Sequence, residues 1–231
     1  MSYLESIFLE NIKKEDIKII FELGSFNLKD AIRLYNYYNS KIYSFECNPD
    51  SLKECYKTLT QMNDECKKNI KLVEKAISIE NKPIKFYPFD LSKYNAPGSS
   101  SLLKIDFSKR NISDPDYNRE NPQKEITVEG TRLDKFLEEE KIDNVDLLCI
   151  DLQGYELNAL KSLGEKIKDV KYIITECSIQ CTYENGSNFK ELNEYLKMYG
   201  FSYICSNRFN YNFPDLNIKG FSEFDALFIK T

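Results

Sequence analysis

Histidine is absent from this chain of 231 residues, and with it go every Ser-His and Cys-His nucleophile and every histidine base. Any proton transfer falls to Asp, Glu, Lys, Tyr or Cys. A structural zinc site is disfavoured too, because the seven cysteines, Cys47, Cys55, Cys66, Cys149, Cys177, Cys181 and Cys205, include no C-x-x-C pair. Seven is odd and the positions are scattered, so no disulfide framework is expected. Cys149, inside the run DLLCID, suits a core as a small buried hydrophobe. No apolar run approaches the roughly 18 to 20 residues of a membrane-spanning helix. The opening MSYLESIFLENIKKEDIK lacks the basic start, apolar middle and small-residue cleavage site of a secretion signal, so a soluble, cytoplasmic protein is expected. Basic clusters are missing as well. The 32 Lys and Arg are dispersed among 37 Asp and Glu, for a net charge of -5, a poor match to the phosphates of a nucleic acid. There is also no GxGxxG dinucleotide fingerprint.

What is present is an ordinary globular composition, 42% hydrophobic and 30% charged, consistent with one α/β domain over residues 1–231 behind an N-terminal extension of residues 1–16. Strand and helix patterns alternate. IKIIFEL reads as a strand, and Ala31, Leu34, Tyr35 and Tyr38 share a helical face before the strand KIYSFEC. Asn48-Pro49-Asp50 reads as a helix start, with Asn48 as N-cap and Leu52, Cys55, Tyr56, Leu59 and Met62 as the apolar stripe. IKLVEKAIS is expected as a single strand, and KPIKFYPFD as a solvent-facing one whose partner the pattern does not name. From Leu91 to Glu125 periodicity fails, and Pro97, Pro115 and Pro122 mark a long loop, broken at SLLKIDF. Thr131 is placed to cap RLDKFLEEEK, with Asp134 completing a near capping box. VDLLCID, the short helix YELNALKSLG ending at Gly164, VKYIITECS, a helix over Ser187–Gly200, FSYICSN and FDALFIKT follow, with no internal repeat. Such alternation implies a mostly parallel sheet covered on both faces, with ligands bound at the carboxyl ends of its strands.

Four strand ends carry the chemistry. Glu22-Leu23-Gly24-Ser25 closes the first; Gly24 either lets a ligand approach the backbone or merely eases a turn. Glu46, at the end of the second strand and 22 positions after Gly24, is spaced to accept hydrogen bonds from ribose hydroxyls. With a single glycine in the turn, one nucleoside fits better than a dinucleotide. Asp151 leaves the most apolar strand, where it would act on a reacting hydroxyl or cap the next helix. Glu176 ends the following strand and would bring a second carboxylate beside Asp151, share a divalent ion with it, or pair with a lysine.

The segments FELGSFNLKDA, YSFECNPD, AIS, GSSSL, TRLDKFL, DLLCIDLQGYELNALKSL, IITECS, YGF and DALFIK resemble, in order and spacing, the FkbM family of methyltransferases. The most specific block is Leu133 to Leu163, where IDLQGYE is similar to the family's I-D-x-[EQ]-G-x-E. The resemblance implies a class I methyltransferase fold, a Rossmann-like three-layer architecture whose seven-stranded, mostly parallel sheet ends in an antiparallel strand. It implies S-adenosylmethionine as cofactor, S-adenosylhomocysteine as product, and methylation of a hydroxyl on a sugar or other small molecule. The family turn D-x-G-A-N-x-G reads Glu22-Leu23-Gly24-Ser25-Phe26-Asn27-Leu28 here, so the second glycine is replaced, leaving Asn27 and Asp30 as the polar groups nearby.

By the same resemblance, Glu22, Gly24 and Ser25 lie at the methionine end, Glu46 with Cys47 and Asn48 at the ribose, and Lys75 and Ala76 at the adenine. Ser99, Ser100 and Ser101 match a small-residue segment beside cofactor and acceptor, and Asp151 and Gln153 the methyl-transfer centre. With no histidine, Asp151 is the expected base and Glu176 the alternative or a shared metal ligand. No metal is predicted, although a divalent ion is compatible with that acid pair. Residues 91–125 form the expected acceptor lid, with Tyr94, Phe107 and Tyr117 available to stack on a sugar ring. A non-catalytic binding protein on the same fold is the alternative reading. The oligomeric state is open, a homodimer included.

Overall fold

The computed structural model describes residues 3–92, 97–109, 123–218 and 223–231. Tyr94, Tyr117 and the side chain of Phe107, the aromatic residues expected on the lid, lie outside the described residues. A short helix α1 (Ser6–Leu9) precedes β1 (Ile19–Leu23), α2 (Lys29–Tyr38), β2 (Lys41–Phe45), α3 (Pro49–Gln61), α4 (Asp64–Asn69) and β3 (Ile70–Val73). Asn48 caps α3 as expected, accepting from Asp50 N at 3.1 Å, with Pro49 at the first helical position. Four short strands follow: β4 (Ala76–Ile77), β5 (Ile84–Phe86), β6 (Ile126–Val128) and β7 (Gly130–Thr131). The chain continues through α5 (Leu133–Glu140), β8 (Leu147–Ile150), α6 (Glu156–Lys161), β9 (Tyr172–Ser178), α7 (Phe189–Met198), β10 (Phe201–Ser206) and β11 (Glu223–Lys230). None of the helices among the described residues is long and apolar enough to cross a membrane.

Seven strands form one sheet in the order β10-β11-β9-β8-β1-β2-β3, parallel except where β11 runs against both β9 and β10. Strand β1 lies inside the sheet, and the chain winds first to β2 and β3 on one side, then returns to β8 on the other. The carboxyl ends of β1 and β8 therefore meet at a topological switch point, where an open α/β sheet leaves a crevice. Side-chain alternation divides the apolar residues between the two faces. Phe21, Phe45, Leu148, Ile150 and Ile173 pack under α5, α6 and α7, whereas Ile20, Ile42, Leu147, Cys149 and Ile174 pack under α1 to α4. The result is three layers, the class I methyltransferase architecture expected from the sequence.

Local expectations fail in instructive places. IKLVEKAIS is not one strand: β3 ends at Val73, and β4 leaves the sheet to pair with β7. Thr131 does not cap α5, because it lies in β7 with its hydroxyl donating to Asn81 Oδ1 at 3.1 Å. Arg132 occupies the N-cap and grips Asp134 through two hydrogen bonds of 2.9 and 2.6 Å, so Asp134 serves an ion pair rather than a capping box. The solvent-facing strand finds its partner in β6, antiparallel across the long insertion. Gly164 does not end helical structure, since a 3-10 turn continues to Asp169. The N-terminal residues are integrated rather than appended, with Tyr3 and Phe8 buried in the core.

Candidate active site

The first turn joins three strand ends. Asp151 N donates to Leu23 O at 2.9 Å, and Gly24 N and Ser25 N both donate to Phe45 O, at 3.0 and 2.9 Å. Gly24 has φ +92°, and a Cβ there would lie 1.9 Å from the Asp151 backbone oxygen. The missing side chain thus admits the backbone of β8, and Gly24 also lines the cavity that the strand ends border. Leu28, in place of the second family glycine, nevertheless adopts the left-handed φ of 64°, as does Phe26 at 56°. Burial of Leu28 in the core and the bond from Leu28 N to Ser25 Oγ, 3.2 Å, hold the turn in a shape that glycine would take without strain.

Glu46 organises the next strand end. Its Oε1 accepts from Cys47 N and Asn48 N at 2.8 and 2.7 Å, and its Oε2 from Phe26 N at 2.8 Å. Burial pushes this carboxyl above its ordinary value, the three N–H donors oppose, and the Asp151 charge adds to the rise. Asn48 extends the network, donating to Ser100 Oγ at 3.2 Å. Glu22 is fully enclosed behind the turn and hydrogen-bonded by Ser44; burial drives its carboxyl up to about 8, with Asp30 and Glu46 contributing.

At the end of β8 the acids are joined by an amide. Gln153 Nε2 donates to Asp151 Oδ1 at 2.8 Å and to Glu176 Oε2 at 2.9 Å. Tyr183, which the sequence did not single out, donates its phenol toward Gln153 Oε1 and Ser99 O, both at 2.9 Å. The turn itself is built by Glu156, whose Oε1 accepts from Leu152 N and Gly154 N at 3.0 Å each. Glu156 belonged to the quoted IDLQGYE block, but nothing in that spacing distinguished a turn-building acid from a reacting one. Asp151 does not cap α6, whose N-cap is Tyr155, and Glu176 pairs with the amide and not with a lysine. Burial raises both carboxyls of the pair, Glu176 strongly and with the Asp151 charge as its next cause; Gln153 opposes the rise of Asp151. A cation between those two oxygens would meet the Gln153 N–H groups, which are donors and not ligands.

These ends border one cavity of about 300 Å³. Glu22, Gly24, Ser25, Asp30, Glu46, Cys47 and Asn48 line it from the β1 and β2 side, Lys75 and Ala76 from beyond β3, and Ser100, Ser101, Asp151 and Gln153 from the other. Two anticipated residues stand outside its wall. Ser99 contributes its carbonyl to Tyr183, and Glu176 lies behind Gln153, bordering a separate void of about 10 Å³. Among further residues that line it are Tyr3, from the N-terminal segment, and Phe26, which is 39% exposed. The position of Tyr3 depends on chain packing that no local pattern encodes.

A sheet of this order, with a cleft over the switch point between β1 and β8, defines a class I methyltransferase fold. The chain belongs to the FkbM methyltransferase-domain family, whose model, described as the methyltransferase FkbM domain, matches residues 24–203. It is 27% identical over 172 residues to 2-O-methyltransferase NoeI of Sinorhizobium fredii (strain NBRC 101917 / NGR234), an alignment covering 72% of this chain and 65% of that protein. The chain thus spans just under two thirds of that curated relative. Among solved structures, precorrin-6y C5,15-methyltransferase of Geobacter metallireducens GS-15 is 11% identical with TM-score 0.44, covering 94% of this chain and 84% of its own. TrmK of M. capricolum, solved with S-adenosyl-homocysteine, is 11% identical with TM-score 0.48, covering 94% and 65%.

Proposed function

We propose that the protein is an S-adenosylmethionine-dependent O-methyltransferase acting on a hydroxyl of a sugar or related small molecule. The observation that carries this reading is the pairing of two strand ends across one cleft: Glu46 beside the glycine turn, and Asp151 held by Gln153 opposite it. The cleft suits a nucleoside, being about 300 Å³ and bordered by Asp30, Glu46 and Asp151 as well as by Lys29, Arg33 and Lys75. Bound there, S-adenosylmethionine would supply an electrophilic methyl group on a sulfonium sulfur.

The residues then have separable tasks. Glu46 retains lone-pair capacity on Oε2, which accepts a single N–H, and can take a ribose hydroxyl there. Lys75 and Ala76 border the base, and Ser100 and Ser101 the opposite wall. Asp151 accepts the proton of the attacking hydroxyl; burial raises its basicity above that of a solvated carboxylate and the Gln153 bond opposes the rise. Glu176 is a proton-sharing partner behind the amide and not the base that meets the acceptor. Alignment of hydroxyl and methyl supplies much of the remaining acceleration. The NoeI relationship supports oxygen as the acceptor atom. The net charge of -5 favours a small acceptor over a polyanion.

Mass spectrometry of small molecules released from the purified protein, followed by calorimetry with S-adenosylhomocysteine, tests the cofactor. Transfer of a labelled methyl group to a panel of sugars and nucleotide sugars, with the label stable to mild alkali as an ether is, tests the reaction. Binding without transfer across that panel would favour the non-catalytic alternative, and a nicotinamide nucleotide in place of an adenosyl compound would overturn the whole reading.

A further inference from the structure

We propose that Tyr183 is a positioning residue: its phenol locks the Gln153 amide in the one orientation that serves both acids and ties that orientation to the Pro97–Ser99 segment. The inference rests on the cleft being the methyl-transfer site. Three sets of contacts carry it.

The first is the amide itself. Its two N–H bonds match two carboxylate oxygens, Asp151 Oδ1 at 2.8 Å and Glu176 Oε2 at 2.9 Å. A flipped amide would set its carbonyl oxygen against those carboxylates and leave its N–H groups facing a hydroxyl. Oε1 requires a donor on its own side to resist that flip, and Tyr183 Oη provides it at 2.9 Å.

The second is the immobility of the ring. Tyr183 is 2% exposed, and its backbone is bridged to Ile105. Asp106 N donates to Thr182 O and Glu184 N to Lys104 O, both at 2.8 Å. A Cβ on Gly154 would come within 3.0 Å of Tyr183 Cδ2, and one on Gly186 within 3.2 Å of Tyr183 Cβ. The ring sits in a slot made by two glycines, so the phenol oxygen cannot wander.

The third is the shared proton. One phenol hydrogen lies between two acceptors at equal distance, Gln153 Oε1 and Ser99 O. Withdrawal of Ser99 would remove one of these two acceptors and strengthen the bond to Gln153, whereas a closer Ser99 would weaken it. The segment over the cleft thereby influences the group that orients the base, without touching the base.

The test removes one oxygen. Tyr183→Phe keeps the ring in its slot and deletes the donor. In protein labelled with ¹⁵N-glutamine, the side-chain amide of Gln153, identified by its loss in Gln153→Met, reports the titration of the Asp151–Glu176 pair. Because Gln153 holds down the Asp151 carboxyl, loosening the amide should move that midpoint upward, by roughly half a pH unit for one neutral hydrogen bond. S-adenosylhomocysteine affinity should stay within about twofold, since Tyr183 does not line the cavity. An unchanged midpoint with unchanged amide resonances would overturn the proposal, as would a Gln153 amide in the unaltered protein that ignores pH between 4 and 9. Equal loss of cofactor affinity and fold would reduce Tyr183 to a packing residue. Failure of the unaltered protein to bind S-adenosylhomocysteine would instead count against the methyltransferase reading.

Discussion

Replacing Gly24 by alanine should be among the most damaging single-methyl additions available to this chain. The new Cβ would stand 1.9 Å from the Asp151 backbone oxygen and 3.0 Å from its carbonyl carbon, and neither atom can rotate away. Relief requires the end of β8 to withdraw by more than 1 Å, which breaks the 2.9 Å bond from Asp151 N to Leu23 O, worth about 1 kcal/mol. The left-handed backbone at φ +92° adds about 1 to 2 kcal/mol for an L-residue, and residual crowding about 1 to 3 kcal/mol. The sum is about 3 to 6 kcal/mol, a large share of the roughly 5 to 15 kcal/mol that stabilises a typical domain. With a urea m-value of about 2 to 3 kcal/mol/M, the unfolding midpoint should fall by about 1 to 3 M. Gly98, whose Cβ would meet nothing within 4 Å, is the matched control and should change stability by less than about 1 kcal/mol. Equal midpoints for Gly24→Ala and the unaltered protein would refute the claim that this glycine exists to admit β8.

Glu46→Gln replaces an acceptor of three N–H bonds with a group whose amide nitrogen must face at least one donor. Calorimetry should show cofactor binding weakened by roughly 1.5 to 3 kcal/mol; unchanged affinity would move the ribose site elsewhere. Glu22 binds its proton up to about pH 8 when folded, against an ordinary carboxyl value of 4.5. The folded state therefore holds more protons than the unfolded across that interval, and stability contributed here declines as pH rises from about 4.5 to 8. Glu22→Gln should flatten that part of the stability curve in urea titrations, and an unaltered slope would contradict the assignment. Asp151→Asn should preserve fold and S-adenosylhomocysteine affinity while turnover drops about a hundred- to ten-thousand-fold, the usual effect of losing a general base; near-normal turnover would remove Asp151 from the chemistry. Phe26→Asn should separate stability from binding. Asn tolerates φ 56° better than Phe and should raise the melting temperature by a few degrees. Loss of a cleft-facing ring should weaken cofactor binding, and a variant that binds more tightly would show that Phe26 only obstructs the cleft.

The alternation of apolar strands and amphipathic helices made the three layers and the parallel sheet legible in the chain, because burial of one face imposes a period of 2 on strands and 3.6 on helices. Glu46 and Asp151 were legible for the same reason, since they end apolar runs and such ends gather at one edge of a parallel sheet. The purpose of Gly24 was not, because the atom it accommodates, the Asp151 oxygen, lies 127 residues onward. The nearness of Asp151 and Glu176 was legible, but the amide that both engage was not. Both acids leave adjacent strands, but only the left-handed turn at Gln153, φ 53°, places an amide between them. Tyr3 and Tyr183 reach the centre through packing of remote segments, for which no periodic signal exists. Local chemistry along the chain thus specified the elements and the kinds of residue at their ends. Which of those residues touch, and in what order amide and backbone are stacked, depends on contacts between segments 20 to 127 residues apart, and those form only when the sheet assembles.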